Sequence, residues 1–200
     1  MSQPAPRRIA IASANRHKLE EIRAILHPFG FEPHGLEAWP DIDDLPETED
    51  TFEGNALMKA RALFELEGVV AVADDSGLEV DALGGAPGVY SKRYTPEGTH
   101  DANNAKLLGA LEGSEDRRAR FRCVVAVVGP SGQVTASGAC EGSIAHGLRG
   151  AGGFGYDPLF LPEETPGRTM AELPSDEKNL ISHRGRAFRQ LPALLESLGL

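Results

Sequence analysis

Gly68-Val69-Val70-Ala71-Val72-Ala73-Asp74-Asp75-Ser76-Gly77 is the stretch on which the fold turns. The apolar run from Val69 to Ala73 is bounded by glycine on one side and carboxylates on the other, and it reads as a strand buried on both faces. The segment before it, Thr51 to Glu67, has helical periodicity: Phe52, Ala56, Ala60, Leu63 and Phe64 form one stripe, Thr51 is placed to cap it and Gly68 to stop it. Further upstream the pair is reversed. Arg8 to Ser13 reads as a short buried strand, and Lys18 to Leu26 as a helix with Leu19, Ile22, Ile25 and Leu26 on one face. Helices and strands alternating in this way predict α/β architecture. Asp74 and Asp75 then fall at the C-terminal end of a strand, where α/β sheets bind ligands. Asp, Ser and Gly also make ordinary polar turns, so Asp74-Asp75-Ser76-Gly77 reads either as a turn or as a holder of a hard cation. Adjacent carboxylates on extended backbone point to opposite sides, so one faces a ligand and the other braces the chain.

Downstream, Leu83 to Gly88 is turn chemistry and Asp101 to Leu111 a helix with Leu107, Leu108 and Leu111 inward. Arg118 to Val128 alternates Arg118, Arg120 and Arg122 against Ala119, Phe121 and Cys123 before turning apolar. That pattern predicts a strand running from a sheet margin into a core. Gln133 to Ala145 is its expected hairpin partner across Gly129-Pro130-Ser131-Gly132. The tail from Ser175 is predicted helical, with breaks at Gly185 and before Pro192. No linker or internal repeat divides residues 1–200, which are read as a single domain that can have two lobes.

The net charge of −10 excludes a generally basic surface, and with it duplex nucleic acid or an anionic membrane as partner. No apolar stretch approaches membrane length, and the start, Met1 to Arg8, lacks the apolar core of a signal peptide, so a cytoplasmic location is expected. The segment Glu37 to Glu53 carries eight acidic residues and reads mainly as a solvated rim. Cys123 and Cys140 fall on predicted strands without metal spacing, and neither a disulfide nor a redox role is expected of them. The histidines show no zinc-binding pattern.

Three constellations carry chemistry. Ser13-Ala14-Asn15-Arg16-His17-Lys18 lies at a strand-to-helix turn, where backbone N–H groups point at anions. Asn15 suits either a cap or a phosphate donor. Lys18 and Lys59, read as lying near two helix starts, are either solvated or phosphate-binding. Gly150-Ala151-Gly152-Gly153-Phe154-Gly155-Tyr156-Asp157-Pro158 is either a tight turn or a platform on which a nucleobase stacks. Glu177-Lys178 and Ser182-His183-Arg184-Gly185 offer donors for phosphate or carbonyl oxygen, or form a polar helix end.

Taken in order, these blocks resemble the inosine/xanthosine triphosphate pyrophosphatases over nearly the whole chain. The matching residues include Thr51-Phe52-Glu53-Gly54-Asn55-Ala56, Ala73-Asp74-Asp75-Ser76-Gly77-Leu78, Leu83 to Ser91, Gly152 to Pro158 and Ile181 to Gly185. The resemblance implies an elongated mixed β-sheet flanked by helices, with two lobes, a central substrate cleft and a homodimer. It implies Mg²⁺-dependent cleavage of ITP, dITP and XTP to the monophosphate and pyrophosphate. Carried onto this chain, Asp75 is the proton acceptor and a metal contact, with Glu47 the second metal contact. Ser13 to Lys18, Lys59, Ser76, Lys178, His183 and Arg184 hold substrate, Phe154, Gly155, Tyr156 and Asp157 hold the base, and Arg184 donates to the 6-oxo group. Ala14 stands where the family usually has glycine; if its φ were positive, that turn would be strained by roughly 1 kcal/mol. Two alternatives stay open here: a pyrophosphatase for modified pyrimidine or methylated nucleotides, and a nucleotide sensor that has lost turnover.

Overall fold

Among the described residues, six strands form one mixed sheet with helices along the chain between them, in an α/β fold. A computed structural model describes residues 6–42 and 45–200. The elements in order are β1 (Arg7–Ile11), α1 (Arg16–Leu26), β2 (Phe31–His34), α2 (Phe52–Glu67), β3 (Ala71–Val80), α3 (His100–Ala110), β4 (Arg118–Gly129), β5 (Gly132–Ile144), β6 (Phe160–Pro162), α4 (Ser175–Ile181), α5 (His183–Phe188) and α6 (Leu191–Ser197). The strand order is β2-β1-β3-β4-β5-β6. β1 pairs in parallel with both β2 and β3, whereas β5 and β6 are antiparallel. The chain separates into two compact units: Met1–Asp75 with Val124–Ser137 and Arg184–Leu200, and Ser76–Cys123 with Gly138–His183.

The first unit is built on the β1-α1-β2 and α2-β3 segments. Leu19, Ile22, Ile25 and Leu26 on α1 are buried, as are Phe52, Ala56, Ala60 and Leu63 on α2, so the expected stripes face the interior except for Phe64, which is half-buried. Asn15 caps α1, its Oδ1 accepting from the Lys18 N–H at 3.2 Å. Thr51 caps α2, and Gly68 closes it in the left-handed region at φ 65°, which glycine adopts without cost. Ala14 is not strained, because no described non-glycine residue has positive φ.

The expected strand ending at Ala73 is corrected: β3 begins at Ala71 and continues through the two aspartates to Val80. Asp74 and Asp75 therefore lie mid-strand and not on a turn. They still stand beyond the end of the parallel pairing, which stops at Ile11 opposite Val72. Asp-Asp-Ser-Gly disfavours a strand by propensity; the charge partners described below and the burial of Leu78 and Val80 override it.

The second unit encloses one cluster of buried residues, among them Leu78, Val80, Leu107, Leu111, Phe121, Ile144, Tyr156, Leu159, Phe160 and Met170. Phe121 and Phe160 lie 4.5 Å apart between ring centroids. One of the two breaks expected in the tail shifts. Gly185 lies inside α5, and the break falls at Ser182, which is extended at ψ 151°. The break expected before Pro192 is present: α5 ends at Phe188 and α6 begins at Leu191, with Pro192 in its first turn, where a missing N–H is harmless. The short strands β2 and β6 carry too few residues to show period and are not evident in the sequence.

Gly142 on β5 faces β6 so closely that a Cβ there would penetrate the Leu161 carbonyl oxygen and press on the Phe160 ring. Gly142→Ala is expected to cost about 1–3 kcal/mol by pushing β6 off its partner. An unchanged midpoint in urea unfolding would contradict this packing.

Candidate active site

In the first unit, three basic residues converge on two carboxylates. Asp74, whose side chain is fully buried, lies 3.1 Å from Lys18 Nζ and 3.4 Å from the Arg184 guanidinium. The Arg184 Nη1 also donates to Glu21 Oε2 at 2.6 Å. Asp75 faces other partners. Asn55 Nδ2 donates to its Oδ2 at 3.1 Å, and Lys59 Nζ lies 3.8 Å from its Oδ1. That same ammonium donates to Glu47 Oε1 at 2.6 Å and to the Asp74 carbonyl at 2.7 Å. The strand's alternation separates the two neighbours as expected: Asp74 is the brace, and Asp75 shares a cation with Glu47.

The electrostatic consequences are opposite. Burial alone would raise the Asp74 carboxyl, but Lys18, Arg184 and Lys59 overcome it and hold the group well below the usual carboxylate range. Burial raises the Asp75 carboxyl, and Lys59 and Lys18 pull it back only in part, so it stays above the ordinary value. For Lys59, burial works against the charge, but Asp74, Asp75 and Glu47 raise its affinity for the proton overall.

The donor set suits a hard cation. Asp75 and Glu47 carry oxygens that reach one nitrogen, and Glu47 is half-buried where the other described acids between residues 37 and 53 are exposed. Asp43 and Asp44 of that rim lie outside the described residues. Among the described residues no group of three His, Cys, Asp or Glu side chains is gathered as a metal cage. Mg²⁺ needs none, since it commonly takes one or two carboxylates and completes its shell with water and substrate phosphates.

The second unit holds the aromatic turn. Asp157 Oδ2 accepts from the Phe154 N–H at 2.8 Å and from Lys178 Nζ at 2.5 Å. The Lys178 ammonium lies 5.2 Å from the centroid of the half-buried Phe154 ring. Tyr156 is buried, and its hydroxyl donates to the Ser91 carbonyl at 2.9 Å. Gly153 has φ 68°, and a Cβ there would collide with the Asp157 carboxylate. His183 is buried and stacks on Phe121 at 4.7 Å and 16°.

Residues 9–194 match the Ham1 family. The chain belongs to that family. It is 48% identical to the dITP/XTP pyrophosphatase of Desulforamulus reducens over 195 residues, 96% of either chain. It is 52% identical to that of Geobacter sulfurreducens, covering 92% of this chain and 94% of the other. Among solved structures, the Staphylococcus aureus Ham1 protein superposes with a TM-score of 0.84 at 40% identity, over 96% of this chain and 99% of that one.

Within this Ham1-family chain, the expected site residues fall into two groups. Ser13 to Lys18, Glu47, Lys59, Asp75 and Arg184 belong to the first unit; Ser76, Phe154 to Asp157, Lys178 and His183 belong to the second. Arg16 and His17 are exposed on the first turn of α1. Lys59 is mid-helix in α2, not near its start, and is buried. Arg184, expected as a donor to a base, has Glu21 and Asp74 against its guanidinium. Lys178, expected to counter phosphate, has Asp157 and the Phe154 ring beside it. Asn55 and Glu21 were not singled out. Asn55 had a sequence signal: it stands four residues before Lys59, and both are polar positions inside an apolar helical face.

Asp74 and Asp75 are therefore expected to differ in stability. Asp74→Asn leaves Lys18 and Arg184 without their buried counter-charge and should cost about 3–5 kcal/mol. Because the Asp74 pKa is depressed on folding, its contribution is fully present above the unfolded value near 3.9 and is lost as pH falls below it. Asp75→Asn removes a carboxylate whose ionised form is disfavoured by folding, so it should be at least as stable as the parent at neutral pH. Urea titrations of both variants at neutral and acid pH check the pair; a larger loss for Asp75→Asn would reverse these assignments.

Proposed function

We propose that the chain is a nucleoside-triphosphate pyrophosphatase that hydrolyses deaminated purine nucleotides, ITP, dITP and XTP, to the monophosphate and pyrophosphate. Asp75 carries the reading: a carboxylate with raised pKa, fixed by Asn55, beside Glu47 and Lys59. A raised carboxyl is a better proton acceptor near neutral pH than an ordinary aspartate. The dITP/XTP pyrophosphatases that share about half of its residues over nearly its full length support the substrate class.

In this reading Asp75 accepts the proton of the attacking water, while Asn55 fixes the carboxylate's orientation. Lys59 holds Glu47 next to Asp75 and neutralises charge as pyrophosphate departs. Lys18 and the first-turn N–H groups of α1 attract the phosphates. Ser13 and Asn15 shape that turn, the Ser13 Oγ accepting from the Asn15 N–H at 3.2 Å. Mg²⁺, which Asp75 and Glu47 would hold, supplies Lewis-acid polarisation of phosphate oxygen. Phe154 offers its ring to the purine, with Gly155, Tyr156, Asp157 and Lys178 around it, and Ser76 and His183 complete the substrate set. Arg184 enters through Asp74, whose charge it secures; serving as a donor to the 6-oxo group would require it to leave Glu21. We also assign the protein to the cytoplasm as a homodimer, on the family resemblance. In the described residues no helix is long and apolar enough to cross a membrane.

Asp75→Asn is expected to lower kcat on dITP by about 10²–10⁴-fold while the protein stays folded. A folded variant keeping more than about a tenth of the parent rate would remove Asp75 from the chemistry.

EDTA should abolish pyrophosphate release and Mg²⁺ should restore it. Restoration by Zn²⁺ but not Mg²⁺ would contradict an all-oxygen site.

A further inference from the structure

The turn beneath the proposed base platform has its carbonyl groups accounted for. The Phe154 carbonyl accepts from the Asp157 N–H at 3.2 Å, and the Tyr156 carbonyl from Leu159 and Phe160. The Gly155 carbonyl is held from far along the chain: Asn104 Nδ2, on α3, donates to it at 3.0 Å. Asn104 is 3% exposed, and its buried Oδ1 has no hydrogen-bond partner among the described residues. The amide is therefore kept for its N–H, since a buried carbonyl oxygen left unpaired is a cost that only the donated bond offsets. His100, one helical turn before Asn104 on α3, brings its ring within 6.4 Å of the Phe154 ring.

That one bond fixes a peptide plane. In a trans peptide the C=O and the following N–H point in opposite directions. With the Gly155 carbonyl turned onto Asn104, the Tyr156 N–H points away from α3, and no described residue accepts it. Gly155 sits at φ 64° and Tyr156 is not left-handed, the type II′ combination. Glycine at this position also permits type I′, in which the central peptide is flipped and a carbonyl replaces the N–H. The flip places Tyr156 in the left-handed region, a penalty that alone leaves the flipped turn populated at roughly a few per cent.

We propose that Asn104 is a positioning residue for base selectivity. It locks the Gly155–Tyr156 peptide with the Tyr156 N–H presented to ligand, so that the turn offers a donor to a 6-oxo purine and withholds the acceptor that a 6-amino purine needs. This rests on the reading of residues 154–157 as the base platform. An isosteric change inverts the clamp: in Asn104→Asp a carboxylate faces the Gly155 carbonyl, repels it and favours the flipped peptide. Asn104→Ala only releases it.

The test compares kcat and KM of the Mg²⁺-loaded parent, Asn104→Asp and Asn104→Ala on dITP, dATP and ribose 5-triphosphate, which has no base. Measuring both variants lets the comparison survive the loss of either. In Asn104→Asp, kcat/KM on dITP should fall about tenfold through KM, with dATP unchanged or improved. Asn104→Ala should shift the ratio in the same direction by less, and ribose 5-triphosphate should be unaffected by both. An unchanged dITP-to-dATP ratio, or equal losses on all three substrates, would overturn the proposal. A parent enzyme that handles dITP no better than ribose 5-triphosphate would instead overturn the platform reading itself.

Discussion

A fully buried carboxylate, Asp74, is the point from which the first unit is organised. It would be untenable in isolation, because a desolvated charge costs several kcal/mol. Lys18 comes from the first turn of α1 and Arg184 from α5, more than a hundred residues later, so meeting the demand of one charge brings distant parts of the chain together. Arg184 carries that demand one step further to Glu21, which sits one turn after Lys18 on α1. The four groups alternate in sign, and their specific pairing fixes the register of α1 and α5 against β3 more narrowly than apolar contact alone would.

The neighbouring residue uses the same backbone for the opposite purpose. Side chains of adjacent strand residues diverge, and the cations that outweigh burial at Asp74 offset it only in part at Asp75. Lys59 is shared: its hydrogen bond to Asp74 goes to the carbonyl, it lies 3.8 Å from the Asp75 carboxylate, and its shorter bond goes to Glu47. Asp75 is left with a raised pKa and a cation it does not own outright. A dipeptide thus divides into a carboxylate whose ionisation stabilises the fold and one whose ionisation opposes it.

Much of this was legible in the sequence, and the limits have physical causes. The helices were read from apolar spacing at Leu19, Ile22, Ile25 and Leu26 and at Phe52, Ala56, Ala60 and Leu63, and the caps Thr51 and Gly68 were read from backbone chemistry. The C-terminal half of β3 is not legible, because propensity favours a turn at Asp-Asp-Ser-Gly, while the charges that keep it extended come from Lys18, Lys59 and Arg184, distant in sequence. β2 and β6 were missed for lack of length. The residue types proposed for the site are visible in the sequence, but their partners are not. Nothing local says that Arg184 meets Glu21, or that Lys178 meets Asp157, because a salt bridge leaves no periodic trace.

Asn104 shows what such a trace can look like when there is one. His100, Asn104, Leu107 and Leu111 follow one helical face, and the last two belong to the core. A polar residue on that face is either an error of packing or the donor for a buried acceptor. Here the acceptor is a glycine carbonyl in a turn that needs outside restraint, because the freedom that lets Gly155 adopt φ 64° also permits the flipped peptide. The same logic applies to Asn55, buried on the apolar face of α2 and bonded to Asp75. In both places an asparagine on a core-facing stripe fixes a group that could otherwise take more than one orientation. Buried amides at apolar helical positions are therefore where the sequence discloses the precision of the site, even when it does not disclose the partner.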